Sequence, residues 1–167
     1  GCGDVCEVKS GPAFNKVPGS SLEAVMRRDA EKVKDYAQRH KVPKFYTDAT
    51  SLIQDPEVNA IYIATPPGSH EAYAIEAMKA GKPVYIEKPV ALNSEECQRM
   101  ITASAEYKVP ASVAHYRRYL GIFERVKSII DEKVLGSPTL AIIRLFHSHK
   151  PTPGVPVDNW RIMPELS

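Results

Sequence analysis

Residues 58–89, VNAIYIATPPGSHEAYAIEAMKAGKPVYIEKP, pass through three hydrophobic patterns in succession. Residues 60–64, AIYIA, are an unbroken apolar run rich in β-branched and aromatic side chains, which predicts a strand buried on both faces of a parallel sheet. Over residues 70–80 the apolar positions Ala72, Tyr73, Ile75, Ala77, Met78 and Ala80 recur at helical spacing, and Gly81 stands where a left-handed C-cap is wanted. Val84, Tyr85 and Ile86 are a second short apolar run. Together they predict a βαβ unit with a right-handed crossover.

The alternation extends in both directions. Residues 22–26 predict a strand, followed by a helix over residues 30–37 with Asp29 as its cap. Phe45 and Tyr46 predict a short strand, and Asp48 caps a helix through Leu52 and Ile53. Asn93 or Ser94 caps a helix that reaches Met100, Ile101 and Ala105, and residues 109–114 are the next strand. Strand and helix repeat at roughly thirty residues per unit, so the fold class is α/β with a doubly wound parallel sheet. An amphipathic helix over residues 122–130, a Gly136-Ser137-Pro138 turn and a strand over residues 139–147 then predict the beginning of an α+β second domain. The prolines within residues 149–158 predict an extended loop.

Composition narrows the function classes. At 167 residues, 43% hydrophobic and 25% charged, the chain can bury a core and has the balance of an ordinary globular protein. A net charge of +2, with Lys and Arg spread among Asp and Glu, gives no electrostatic case for nucleic acid or a membrane surface as partner. No apolar run approaches the ~20 residues that a membrane span requires. The cysteines at 2, 6 and 97 form neither a disulfide framework nor a zinc spacing, so no metal is expected and a reducing cytoplasm is the expected compartment.

Chemistry-bearing residues collect at the carboxyl ends of the predicted strands, where open α/β sheets bind ligands. Gly1-Cys2-Gly3-Asp4-Val5-Cys6 reads G-x-G-x-x-C. Such glycines permit a tight turn and close approach to a pyrophosphate, the helix start at Asp4 and Val5 offers N–H groups to it, and small Cys6 suits the helix-packing position. The bland alternative is a simple turn. Arg27, Arg28 and Asp29 follow the strand ending at Met26, where a group that reads the adenosine ribose is expected. A guanidinium there suits a 2′-phosphate and favours NADP over NAD; the alternative is a solvated arginine pair. Lys88, at a strand end, is placed to hydrogen-bond a substrate hydroxyl or carbonyl, and burial would lower its proton affinity towards general acid–base work. Otherwise Glu87 and Lys88 are a surface pair, His70 caps or packs its helix, and His115-Tyr116-Arg117-Arg118 is a basic helix start.

ATPPGSH at residues 64–70, EKP at residues 87–89 and the glycine turn at the front together resemble the Gfo/Idh/MocA family of NAD(P)-dependent oxidoreductases, whose pattern is a TP-x-x-x-H turn and then EKP. The resemblance implies a Rossmann-type dinucleotide-binding domain over residues 1–118 and the start of a substrate and oligomerisation domain over residues 119–167. It implies that Gly1, Gly3, Asp4, Val5, Arg27 and Arg28 hold the adenosine and pyrophosphate half of the cofactor. Thr65, Pro66, Pro67, His70, Glu87, Lys88 and Tyr116 then line the rest of it, with a cis Lys88–Pro89 peptide aiming the lysine. Lys88 is the implied catalytic residue and, with Arg117, the implied substrate contact.

The implied reaction is hydride transfer between NADP or NAD and a small molecule, a sugar, polyol or related hydroxy compound, by a homo-oligomer, dimer or tetramer, built through the second domain. Asn159-Trp160-Arg161 resembles the family's Trp-Arg pair. In such a fold a first central strand is expected ahead of Gly1, and the family's Asp-x-x-x-His acid/base segment beyond Ser167. A cofactor-binding sensor without turnover, or an inactive fragment, are the alternative readings.

Overall fold

In a computed structural model, which describes residues 1–144 and 146, the chain divides into two compact units, one over residues 1–114 and one that begins at His115. The first unit opens with a π-helical turn, Cys6–Ser10, that runs into α1 (Gly11–Phe14). Then β1 (Ala24–Met26), α2 (Ala30–His40), β2 (Lys44–Tyr46), α3 (Ala49–Gln54), β3 (Ile61–Ile63), α4 (His70–Lys79), β4 (Val84–Ile86), α5 (Ser94–Tyr107) and β5 (Ala111–Val113) alternate. The predicted caps form. The Asp29 carboxylate accepts the Lys32 N–H at 3.1 Å, Asp48 that of Ser51 at 2.8 Å and the Asn93 side chain that of Glu96 at 2.9 Å. Gly81 follows α4 at φ +74°, the left-handed conformation its place in the pattern demands.

All strand pairs are parallel, β1 with β2 and β3-β4-β5 in that order. Ile61, Ile63, Val84 and Ile86 share one core with Ala74, Ala77 and Met78 of α4 and Met100 and Ala103 of α5. Each fully buried Ile or Met contributes about 1.5–3 kcal/mol of transfer free energy. The period of two sends the register partners Tyr62 and Tyr85 to the opposite face. A second core, with Cys2, Cys6, Val25, Val33, Tyr36 and Ala37, joins the front of the chain to β1 and α2. Among the described residues no strand bridges β1 and β3. Between them lies a cavity of about 580 Å³ lined by Leu22, Val25, Met26, Ile61 and Ile63, and Gly1 and Cys2 also line it.

Asp55 ties β2 to the loops that precede β3 and β4. Its carboxylate, in a residue 5% exposed, accepts both contacts of the Lys44 ammonium at 2.9 Å, the Tyr46 hydroxyl at 2.8 Å and the Glu57 N–H at 2.9 Å. Lys82 donates to its backbone carbonyl at 2.6 Å. The Lys44 ammonium, followed by the Glu57 N–H and Tyr46 hydroxyl, holds the Asp55 carboxyl at about 2, below its ordinary 3.8. Because the folded value is the lower one, this contribution to stability is complete above the unfolded value and lost as pH falls from about 4 towards 2. Asp55→Asn is expected to flatten that part of the pH profile of the urea midpoint, which the unaltered protein retains.

The second unit starts with a 3-10 turn, Tyr116–Tyr119, and α6 (Gly121–Asp131), whose Ile122, Phe123, Val126 and Ile130 are exposed. The strand expected over residues 139–147 does not form over residues 139–144. A β-ladder needs a neighbour to take its N–H and C=O groups, and no described residue supplies one. Leu145 and His147 of that stretch, like His149 and Asn159-Trp160-Arg161, lie outside the described residues.

Candidate cofactor and active site

The glycine turn sits between the ends of β1 and β3. Its Cys2 N–H donates to the Met26 carbonyl at the end of β1 at 3.0 Å. On its other side a Cβ on Gly1 would stand 2.9 Å from Cγ2 of Thr65 and 3.6 Å from the Ala64 carbonyl, so only glycine packs against the end of β3 this closely. The Cβ direction of Gly3 is open, with no described atom within 4 Å. The Glu7 N–H donates to the Gly3 carbonyl at 3.0 Å, making Gly3 the N-cap. The N–H groups of Asp4, Val5 and Cys6 therefore precede the first intrahelical bond, as in a cradle for an anion. Arg27 reaches back over this turn, its Nη1 donating to the Cys2 carbonyl at 3.3 Å, whereas Arg28 is exposed. These residues fit a dinucleotide: helix-start N–H groups beside a glycine whose Cβ direction is open, and a guanidinium next to them. Burial pushes the Cys2 and Cys6 thiols up, so neither is an activated nucleophile.

At the end of β3, Thr65 and Pro66 are half-buried and Pro67 is buried in a short 3-10 turn, Pro67–Ser69. The Ser69 hydroxyl donates to Oγ1 of Thr65 at 2.7 Å. His70 is 1% exposed, so its whole ring lies inside the unit. Its Nε2 stands 2.7 Å from the Thr65 carbonyl oxygen and its Nδ1 3.0 Å from that of Pro89. A neutral imidazole has one N–H and donates to one of the two. Both ring nitrogens are thus directed at backbone of this chain.

At the end of β4 the Lys88–Pro89 peptide is cis. The Tyr62 hydroxyl donates to Oε1 of Glu87 at 2.7 Å, and the Lys88 N–H to Oε2 of the same carboxylate at 3.2 Å. Tyr62 is held edge-on by Phe14 (centroids 5.3 Å) and flanked by Tyr85 (5.7 Å). Burial pushes its hydroxyl well above the ordinary 10; a Ser10 hydrogen bond opposes this and the Glu87 carboxylate reinforces it. Lys88 itself is exposed. The burial expected of it at the strand end is therefore not found, and of the tip it is Glu87 that is half-buried. By the hydrophobic pattern Tyr62 is an ordinary core position of a buried strand; its register with Tyr85, two residues before Glu87, is the signal that sets it apart. Tyr116 and Arg117 lie in the turn that opens the second unit, both exposed.

Among the described residues no three His, Cys, Asp or Glu side chains come together to hold a metal ion, and no helix is long and apolar enough to cross a membrane. The model of the Gfo/Idh/MocA oxidoreductase family, NAD-binding Rossmann fold, matches residues 1–115. Oxidoreductase P35 of Formosa agariphila is 45% identical over 168 residues, covering all of this chain and 52% of that protein. The 1,5-anhydro-D-fructose reductase of Ensifer adhaerens is 30% identical over 133 residues, covering 80% of this chain and 39% of that protein. In structure the chain is similar to a probable dehydrogenase from Thermotoga maritima, with a TM-score of 0.74 at 25% identity over 81% of this chain and 40% of that one. The chain spans about half the length of the first of these relatives and less of the others.

Proposed function

Because the chain belongs to the Gfo/Idh/MocA oxidoreductase family with its NAD-binding Rossmann fold, we propose that the full protein transfers a hydride between NADP, or less readily NAD, and a sugar, polyol or related hydroxy compound. The observation that carries this is the convergence of strand tips on the glycine turn: Gly1 against Thr65, and Arg27 against Cys2. The bound nicotinamide supplies the redox chemistry. The N–H groups of Asp4 and Val5, at the turn that Gly1 makes against Thr65 and beside the open face of Gly3, receive the pyrophosphate. Arg27, with Arg28 beside it, reads the 2′-phosphate as a bidentate donor. Thr65, Pro66, Pro67, His70 and Glu87 form the wall along the dinucleotide. Lys88 hydrogen-bonds the reacting oxygen and takes or returns its proton at Nζ. By the family resemblance Tyr116 lies beside the nicotinamide and Arg117 faces the substrate.

A carbohydrate-like substrate is supported by the name of the Ensifer relative, an anhydrofructose reductase. Assembly through the second domain is supported by the exposed apolar residues of α6, and a cytoplasmic setting by three free thiols. The test is turnover of the full-length protein with NADP and with NAD against a panel of sugars and polyols. Oxidation or reduction with NADP preferred is the expected result. Tight NADP binding without turnover on any member would replace the enzyme by a sensor. Arg27→Ala is expected to weaken NADP binding about tenfold or more while leaving NAD within about threefold, read by titration of each cofactor.

A further inference from the structure

We propose that Tyr62 and His70 are positioning residues that fix Lys88 from both sides by holding its two chain neighbours, Glu87 and Pro89. The inference rests on the assignment of Lys88 to the chemistry. The Glu87 carboxylate spans from the Tyr62 hydroxyl, at 2.7 Å, to the backbone N–H of Lys88, at 3.2 Å, so one side chain of β3 sets where the lysine's own amide sits. On the far side, the Pro89 carbonyl faces Nδ1 of His70 at 3.0 Å while Nε2 faces the Thr65 carbonyl at 2.7 Å. The ring therefore bridges the turn after β3 and the turn after β4.

Each anchor is itself immobilised. Tyr62 is packed between Phe14 and Tyr85, and His70 is enclosed at the first turn of α4. Between the two anchored residues Lys88 is exposed, as is the Pro89 ring beside it, while Glu87 is half-buried. A lysine whose root is held and whose tip is free can reach a substrate oxygen from a defined origin. A root loosened by about 1 Å forfeits up to ~100-fold in rate.

Tyr62→Phe in the full-length protein is the deciding variant, since it keeps the ring between Phe14 and Tyr85 and removes only the oxygen. Amide hydrogen exchange at Lys88 is expected to quicken at least about tenfold, with the core amides of Val33 and Met78 unchanged. With the substrate found for the unaltered enzyme, kcat is expected to fall about tenfold while KM and the NADP dissociation constant stay within about twofold. His70→Gln, which keeps a donor for one of the two carbonyls, is expected to lower kcat as well. If it does not fold, Tyr62→Phe still decides. Exchange at Lys88 within twofold of the unaltered protein, or a rise shared equally by Val33 and Met78, overturns the proposal. If the unaltered protein turns over nothing, the functional reading fails and the exchange measurement alone judges the positioning.

Discussion

On the proposed role, Lys88→Met is expected to lower kcat about a thousandfold on whatever substrate the full-length protein accepts, with the NADP dissociation constant changed less than about threefold. Positioned general acid–base groups contribute ~10²–10⁴ in rate, and methionine keeps a similar stem while removing the only proton-carrying atom. The variant should fold, because exposed substitutions usually change stability by no more than ~0.5 kcal/mol and the side chain of Lys88 takes no part in either core. Lys88→Arg keeps the charge but offers a planar fork with no accessible deprotonated form, so it should recover little. Steady-state kinetics with separate kcat and KM, beside a cofactor titration, checks both variants. A kcat within tenfold of the original would assign proton transfer to a different group and leave Lys88 as a binding contact.

What the pattern of residues revealed was what depends on near neighbours along the chain. The apolar blocks at residues 60–64 and 84–86, the helix between them and the caps at Asp29, Asp48 and Asn93 are each decided within a turn or two, and each formed. The glycine turn and the two proline-containing strand ends carry their own chemistry, which made most of the candidate site visible. Features set by distant partners were not legible. Residues 139–144 are β-prone in composition but form no strand, because pairing is a property of two segments. His70 could be placed at a helix start, but the Pro89 carbonyl that meets its ring is 19 residues away. Tyr62 is in the same position. Its aromatic cover comes from Phe14, on a helix whose Gly11-Pro12 pair breaks any regular periodicity.

That helix carries the second large effect: Gly11→Ala is expected to destabilise the protein by about 2–4 kcal/mol and to weaken NADP binding several-fold. A Cβ at residue 11 would lie 2.1 Å from the Tyr36 hydroxyl oxygen and 2.5 Å from the Cys6 carbonyl oxygen. Neither atom is free to yield. The Tyr36 hydroxyl, pushed up to about 12 chiefly by burial, donates to the Cys6 carbonyl at 3.1 Å, and the Gly11 N–H donates to that same oxygen to close the π turn. The wide turn in turn accommodates Pro12, which has no N–H for a regular α-helical bond. An added methyl must therefore push the Cys6–Ser10 turn away from α2, and the Glu7–Arg39 ion pair crosses the same contact. Because Asp4 and Val5 begin this helix, the anion cradle moves with it. Tyr36→Phe combined with Gly11→Ala separates the two clashes: it relieves the hydroxyl but leaves the carbonyl at 2.5 Å, so urea unfolding should show only partial recovery. Full recovery in the double variant would mean that the tyrosine oxygen alone sets the spacing. Full stability in Gly11→Ala would mean that the turn and α2 stand farther apart than this packing allows.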